Sequence, residues 1–340
     1  MTRGKTIGVI AAICGGLCAA TQSRVNGALG VSLGSGWAAA VISFVTGLLV
    51  LAVAVSAWPA ARSSTALIVS GLRSRGLRWW ELLGGACGAM YVASQGLAVG
   101  ILGVALFTVA AVAGQTVASL VVDRFGLTPG GARALSATRV LAAALILVAA
   151  SLTAAQALTR PSAIGAVLLP VVAGMTLSVQ QALNGRIRQA ADMSAKPSTA
   201  AALAGTAAAT LVNFAVGTVV LSGAFVVATI VAGWPGGTLP SNPLAYVGGL
   251  LGIAFVGVQA AVVREIGVLL LALGAIAGQM VGAVGLDVLV SGAAPSWTTL
   301  LGVALAMIAI VLPLGGPLVR ARRETTSIRR VRVEKEGSRR

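Results

Sequence analysis

Apolar runs follow one another along almost the whole chain, separated by short clusters rich in arginine, glycine, proline and serine. Ten of them are long enough to cross about 30 Å of hydrocarbon as helices. They fall near 6–27, 36–57, 81–101, 103–123, 134–157, 163–184, 199–232, 244–263, 266–288 and 296–318. The seventh is longer than one crossing needs, so a tilt or an interfacial turn is expected after Pro197. The remainder, 319–340, is too polar to bury a core and reads as a disordered tail. The first run, behind Arg3 and Lys5, superficially resembles a signal peptide. No small-x-small cleavage site followed by a soluble domain accompanies it, so it is read as the first membrane helix. Trp37, Trp58, Trp79, Trp80, Trp234 and Trp297 all lie near predicted helix ends, as interfacial aromatics do.

Composition agrees: 57% of the 340 residues are hydrophobic and 9% charged, against about 25% charged in soluble domains. The net charge of +16 does not imply a nucleic-acid partner, because the excess sits in helix-flanking segments and the tail. With the N-terminus cytoplasmic, 22 of the 24 lysines and arginines fall inside, leaving only Arg24 and Arg160 outside. This bias predicts cytoplasmic N- and C-termini in a bacterial inner membrane. The tail, from Arg320 to Arg340, could bind anionic lipid headgroups or serve only as a topology anchor. Histidine is absent, and Cys14, Cys18 and Cys87 lie inside apolar runs. No metal-ligand spacing exists, and no metal or other cofactor is expected.

The chain repeats itself. At a constant offset of 164, Gly84–Asp123 aligns without gaps with Gly248–Asp287. The informative identities are the rare polar ones, Gln95/Gln259, Gln115/Gln279 and Asp123/Asp287. Gln22-Ser23-x2-Asn26-Gly27 parallels Gln180-Gln181-x2-Asn184-Gly185 at offset 158, and Ser43-Phe44-x2-Gly47 parallels Asn213-Phe214-x2-Gly217 at offset 170. Five helices per repeat is an odd number, so the second repeat enters the membrane inverted. Inverted repeats around a midplane site are a recurrent transporter architecture. The expected fold is therefore an all-α integral membrane protein of about ten transmembrane helices. Residues 1–158 form one five-helix repeat, 159–318 the second, and 319–340 a basic cytoplasmic tail.

Polar side chains within hydrocarbon need partners or water. Gln22 and Asn26 share a helix face, as do Gln180 and Asn184. The predicted topology puts Gln22, Asn26, Gln95 and Asp287 toward the outer side and Gln180, Asn184, Gln259 and Asp123 toward the inner side. Gln115 and Gln279 fall near mid-membrane. One reading is a central substrate site at Gln115 and Gln279 between two polar gates; the other is a set of interhelical staples. Asp123 and Asp287 are candidates for proton coupling, with capping or ion pairing as the alternative. Gly84-x3-Gly88, Gly248-x3-Gly252 and Gly274-x3-Gly278-x3-Gly282 signal close helix packing.

These motifs resemble the YdcZ group of the drug/metabolite transporter (EamA-like) superfamily. The resemblance is carried by Gln22-x3-Asn26-Gly27-x-Leu29, Ser43-Phe44-x2-Gly47 and Gly114-Gln115-x3-Ser119-Leu120-x2-Asp123-x-Phe125-Gly126. It covers about 7–315. Arg124 stands where the family often has histidine, which argues against a proton relay there, and the second half lacks the Phe-Gly. Members usually hold one five-helix unit, so this chain looks like two fused units. The resemblance implies an exporter of small metabolites or drugs. The first-helix glutamate of small multidrug relatives has no counterpart; Gln22 and Gln180 are the nearest polar residues.

The expectation is a secondary transporter, an exporter of a small metabolite or drug-like solute working by alternating access. A lipid-carrier flippase and a non-transporting scaffold are the alternatives, and homodimerisation stays open. An enzyme is not expected, because no nucleophile–base pair, metal set or phosphate loop exists.

Overall fold

The computed structural model describes residues 3–154, 166–191 and 198–291, with 297, 300–302, 304, 305 and 307–309. The described residues fold as helices and connecting turns. They are α1 (Arg3–Leu33), α2 (Gly36–Ala57), α3 (Pro59–Arg73), α4 (Gly84–Arg124), α5 (Ala137–Ala154), α6 (Leu168–Ala191), α7 (Thr199–Ala232) and α8 (Gly248–Ser291). Short 3₁₀ turns, Trp79–Leu83 and Pro243–Tyr246, lead into α4 and α8. Five stretches are long and apolar enough to cross a membrane: Gly4–Leu33, Gly36–Ala57, Trp79–Leu102, Thr199–Ala232 and Pro243–Leu286. Ala137–Ala149 and Leu300–Ala309 are shorter apolar helices. The tail at 319–340 lies outside the described residues.

Two of the helical stretches are hairpins. α8 breaks at Gly267, whose φ of 79° and ψ of 166° are open only to glycine. One limb runs up to Ile266 and the other on from Val268, matching the separate runs predicted at 244–263 and 266–288. α4 is helical over the range Gly84–Arg124, yet it cannot be one straight helix. Gly88 lies against Gln180 while Gly114 lies against Val171. A straight helix would hold Gly88 and Gly114 about 39 Å apart, whereas Val171 and Gln180 are only about 14 Å apart along α6. The chain must therefore double back, in line with the runs predicted at 81–101 and 103–123.

Helix α3 falls in 58–80, between the predicted runs 36–57 and 81–101, where no helix is expected. Its 15 residues are too few and too polar to register as a membrane crossing. Ala61, Ser64 and Ile68, one helical stripe, are nonetheless buried against α7 and the end of α6. α7 needs no separate interfacial turn: Ser198 caps it through the Ala201 N–H, and all 34 residues are helical. That makes it about 51 Å long.

Packing is crossed between the halves. α1 lies in the crease of the α8 hairpin, and α6 in the crease of α4. Small residues make this possible, and they recur at the repeat offsets. Gly16 abuts the Ala275 carbonyl, as Gly174 abuts that of Ala111; Gly278 abuts Ile13, as Gly114 abuts Val171. At each position a Cβ would overlap backbone of the facing helix. Gly252 and Gly248 face Gln22 and Asn26, as Gly88 and Gly84 face Gln180 and Asn184. α2 and α7 meet at stacked Phe44 and Phe214 rings, 4.9 Å between centroids, each ring seated on the other helix's glycine, Gly217 or Gly47.

Candidate functional site

Most of the buried polar side chains lie on α1, α4, α6 and α8, joined by Ser43 of α2 and Asn213 of α7. Three groups result.

In the first, Asn26 donates from Nδ2 to Gln95 Oε1 at 2.9 Å, and Gln95 donates from Nε2 to Ser23 Oγ at 2.9 Å. Gln22 donates to the Gly248 carbonyl at 3.1 Å, across the half boundary. All four side chains are buried. The glycine pair at 248 and 252 removes the side chains that would keep Gln22 and Asn26 off α8.

The second group is its counterpart on α6. Gln180 donates to Asn213 Oδ1 at 3.3 Å, and Asn213 donates to Asn184 Oδ1 at 3.0 Å. Gln259 and Gln181 are also buried here, and neither amide end of either side chain has a partner among the described residues.

The third group lies between them. Tyr91 donates its hydroxyl to Gln279 Oε1 at 3.2 Å. The second-half counterpart of Tyr91 is Phe255, which has no hydroxyl, and Gln115 and Gln279 both keep an unpartnered Nε2 although both are buried. The predicted central pair therefore differs at one point, the bond that Tyr91 makes to Gln279 Oε1. Tyr91→Phe is expected to lower stability by about 0.6–1.7 kcal/mol, the range for an interhelical hydrogen bond. Thermal unfolding of purified protein checks this, and an unchanged melting temperature would show that the bond adds nothing net.

Asp123 serves the α8 hairpin. Its carboxylate accepts from the Val268 N–H at 3.0 Å and the Leu269 N–H at 3.1 Å, the first free donors after the break, and pairs with Arg139. Arg133 supplies the opposite end, donating to the Ile266 carbonyl at 3.2 Å and the Arg264 carbonyl at 3.1 Å. An anion sits at the start of one limb and a cation at the end of the other, as the helix dipoles favour. The side chain of Asp287 lies outside the described residues.

Arg186, at the end of α6, pairs with Glu81 at 3.0 Å and donates to the Leu127 carbonyl at 2.6 Å and the Gly126 carbonyl at 3.2 Å. It borders an open cleft of about 750 Å³ between α3, the 126–131 turn and α6.

Sequence reading placed Gln22, Asn26 and Gln95, which the structure brings together, and likewise Gln180 with Asn184. It passed over Tyr91, Ser23, Asn213 and Gln181. Asn213 and Gln181 carried a signal, since each is polar opposite a serine of the first half, Ser43 and Ser23. Arg133 and Arg139 were legible only as topology markers.

The profile of the family described as "Putative inner membrane exporter, YdcZ" matches the chain twice, over residues 7–152 and 165–312. The chain belongs to the YdcZ family. The double match is consistent with two fused family units. The family's description is that of an inner-membrane transport protein rather than an enzyme, and the apolar helices fit a membrane protein. A protein of known crystal structure, 18% identical, matches over 94% of this chain and 99% of its own length with a TM-score of 0.55. At that identity the likeness shows the fold alone. No curated protein sequence matches this YdcZ chain.

Proposed function

We propose that this YdcZ protein is a ten-helix, inverted-repeat secondary transporter that exports a small solute by alternating access. The repeats are 1–158 and 159–318, with both termini cytoplasmic and a basic tail at the anionic headgroups. The supporting observation is the crossed, repeated pairing of polar faces: each half's first helix bonds to or rests on the other half's hairpin through the same residue types. Direction supports the inversion. α1 runs parallel to the first limb of α4, through the contacts Ser23–Gln95 and Gly27–Val99. α6 runs antiparallel to that same limb, through Gln180–Gly88 and Asn184–Gly84. α1 and α6 are therefore opposed. Two such halves rock between two related arrangements that open to opposite faces.

In this reading Gln115, Gln279 and Tyr91 line the mid-membrane path. Gln22, Asn26 and Gln95 form the outer gate, and Gln180, Asn184 and Gln259 the inner one. Asp123 holds the α8 hairpin in shape, and gradient coupling through it is the second role to be tested. Gln115→Cys and Gln279→Cys, made singly after replacement of Cys14, Cys18 and Cys87, are expected to react with impermeant thiol reagents from either side. Protection from both sides in a folded protein would make these glutamines packing staples and remove the central path.

A further inference from the structure

The two polar gates are built from matched positions, yet the inner one leaves three times as many buried atoms without a partner among the described residues. In the outer gate Gln95 has partners at both amide ends, and the atoms left over are Asn26 Oδ1 and Ser43 Oγ. In the inner gate serine is replaced by Gln181 at the position matching Ser23. Gln181 and Gln259 lack partners at both ends, Asn184 lacks one at Nδ2 and Gln180 at Oε1. Exchanging the ends of either unpartnered glutamine amide changes nothing, since both ends are equally without partners. These are not surface groups: Gln181 and Asn184 are 0% exposed and Gln259 1%. Register brings them together. Gly185 packs directly on Val263, and Gln181 and Gln259 each lie one turn before that contact. The equivalent contact in the first half, Gly27 on Val99, has Ser23 and Gln95 bonded one turn before it.

A buried amide without a partner costs roughly 1–3 kcal/mol, and native proteins keep few of them. Several gathered in one place are not explained by packing. We propose that Gln181, Asn184 and Gln259 form a binding site for an uncharged polar group of the transported solute, one that both donates and accepts hydrogen bonds, such as a carboxamide or a hydroxyl. This rests on the transport reading above and names the chemistry that reading leaves open. The three amides offer three N–H₂ donors and two free carbonyl acceptors, and no charge. An ion entering here would lose hydration without a counter-charge. The nearby charged groups each have partners of their own: Asp123 has Arg139 and α8, Arg133 has two carbonyls, and Arg188, two turns beyond Gln181, has a contact of its own, with the Nε of Arg133 and of Arg188 left over. The cleft beside Arg186 and Gln189 gives the nearest opening, one to two turns along α6.

Two measurements test the site. In the cysteine-replaced background, Gln181→Cys is treated with three thiol reagents: uncharged methyl methanethiosulfonate, its sulfonatoethyl analogue and its trimethylammonioethyl analogue. Each rate is divided by that at exposed Ser63→Cys. The uncharged reagent is expected to be at least tenfold faster than either charged one. Faster reaction with the sulfonate would make this an anion site, and protection from all three would leave room for water alone; either outcome overturns the proposal. Separately, Gln259→Met should melt at or above the parent temperature, because it removes two unpartnered atoms. A fall of more than about 3 °C, a kcal/mol-scale loss, would mean the amide is a structural staple. Protection at Gln115→Cys and Gln279→Cys with reaction at Gln181→Cys would sink the transport path and spare this site. The reverse pattern would sink the site alone.

Discussion

Asp123→Ala should lose about 3–5 kcal/mol of stability, the cost of breaking a buried ion pair from one side, and accumulate poorly in membranes. The carboxylate is fully buried. Its loss strands the Arg139 guanidinium and leaves the Val268 and Leu269 N–H groups without acceptors, in a place where water is scarce. Asp123→Asn keeps one acceptor oxygen and should lose less. The check is thermal unfolding of both variants beside Arg139→Met and the Asp123→Asn/Arg139→Met pair. If the role is capping plus pairing, the double variant recovers part of the loss. The same variants decide the coupling question. A proton-carrying Asp123 predicts that Asp123→Asn abolishes gradient-driven transport and leaves solute exchange intact. Equal loss of both, tracking the fall in melting temperature, assigns Asp123 to the hairpin.

The second large effect is expected at the glycines of the crossed contacts. Gly174→Ala and Gly278→Ala each place a Cβ into the backbone of the facing helix, at Ala111 and Ile13. The obstruction is main chain, so no side chain can swing aside, and the two helices must part by an ångström or more. Overpacking of this kind costs roughly 1–3 kcal/mol, and more where the backbone cannot move. Gly223→Ala, which meets nothing within 4 Å, is the control and should unfold like the parent. Melting temperatures of the three in one detergent make the comparison. Equal values at Gly174→Ala and Gly223→Ala would refute the close crossing.

Much of this arrangement was legible in the sequence because a membrane restricts the options. Apolar runs marked the helices, and both hairpins were anticipated as separate neighbouring runs, even though Gly267 carries no sequence mark beyond being one glycine among 44. Gln95, Gln115 and Asp123 stood out because polar residues are scarce, and their recurrence at one offset tied the halves together. Helix α3 was illegible for the converse reason. Its burial depends on a stripe of Ala61, Ser64 and Ile68, small or singly apolar residues whose partners on α6 and α7 lie over a hundred positions away. Which atoms pair was equally out of reach. Gln22 bonds a backbone carbonyl while its repeat mate Gln180 bonds a side chain, a difference set by Ser43 standing where the other half has Asn213. The anchoring of Gln279 by Tyr91 likewise turns on one oxygen atom, the only feature that separates that residue from Phe255 in a hydropathy pattern.

The seat of α1 in the α8 crease also sets a timetable for the ribosome. Gln22 and its acceptor on Gly248 are separated by 226 residues, about 10–45 s of synthesis at 5–20 residues per second. Throughout that interval the first helix is already emerging with an amide-bearing face whose cover has not been made. α6 meets no such delay, because the hairpin it enters is complete before α6 is translated. The newborn chain thus spends its youth with one polar stripe in need of shelter. A stalled or shortened translation product would present that stripe to the membrane's quality-control proteases.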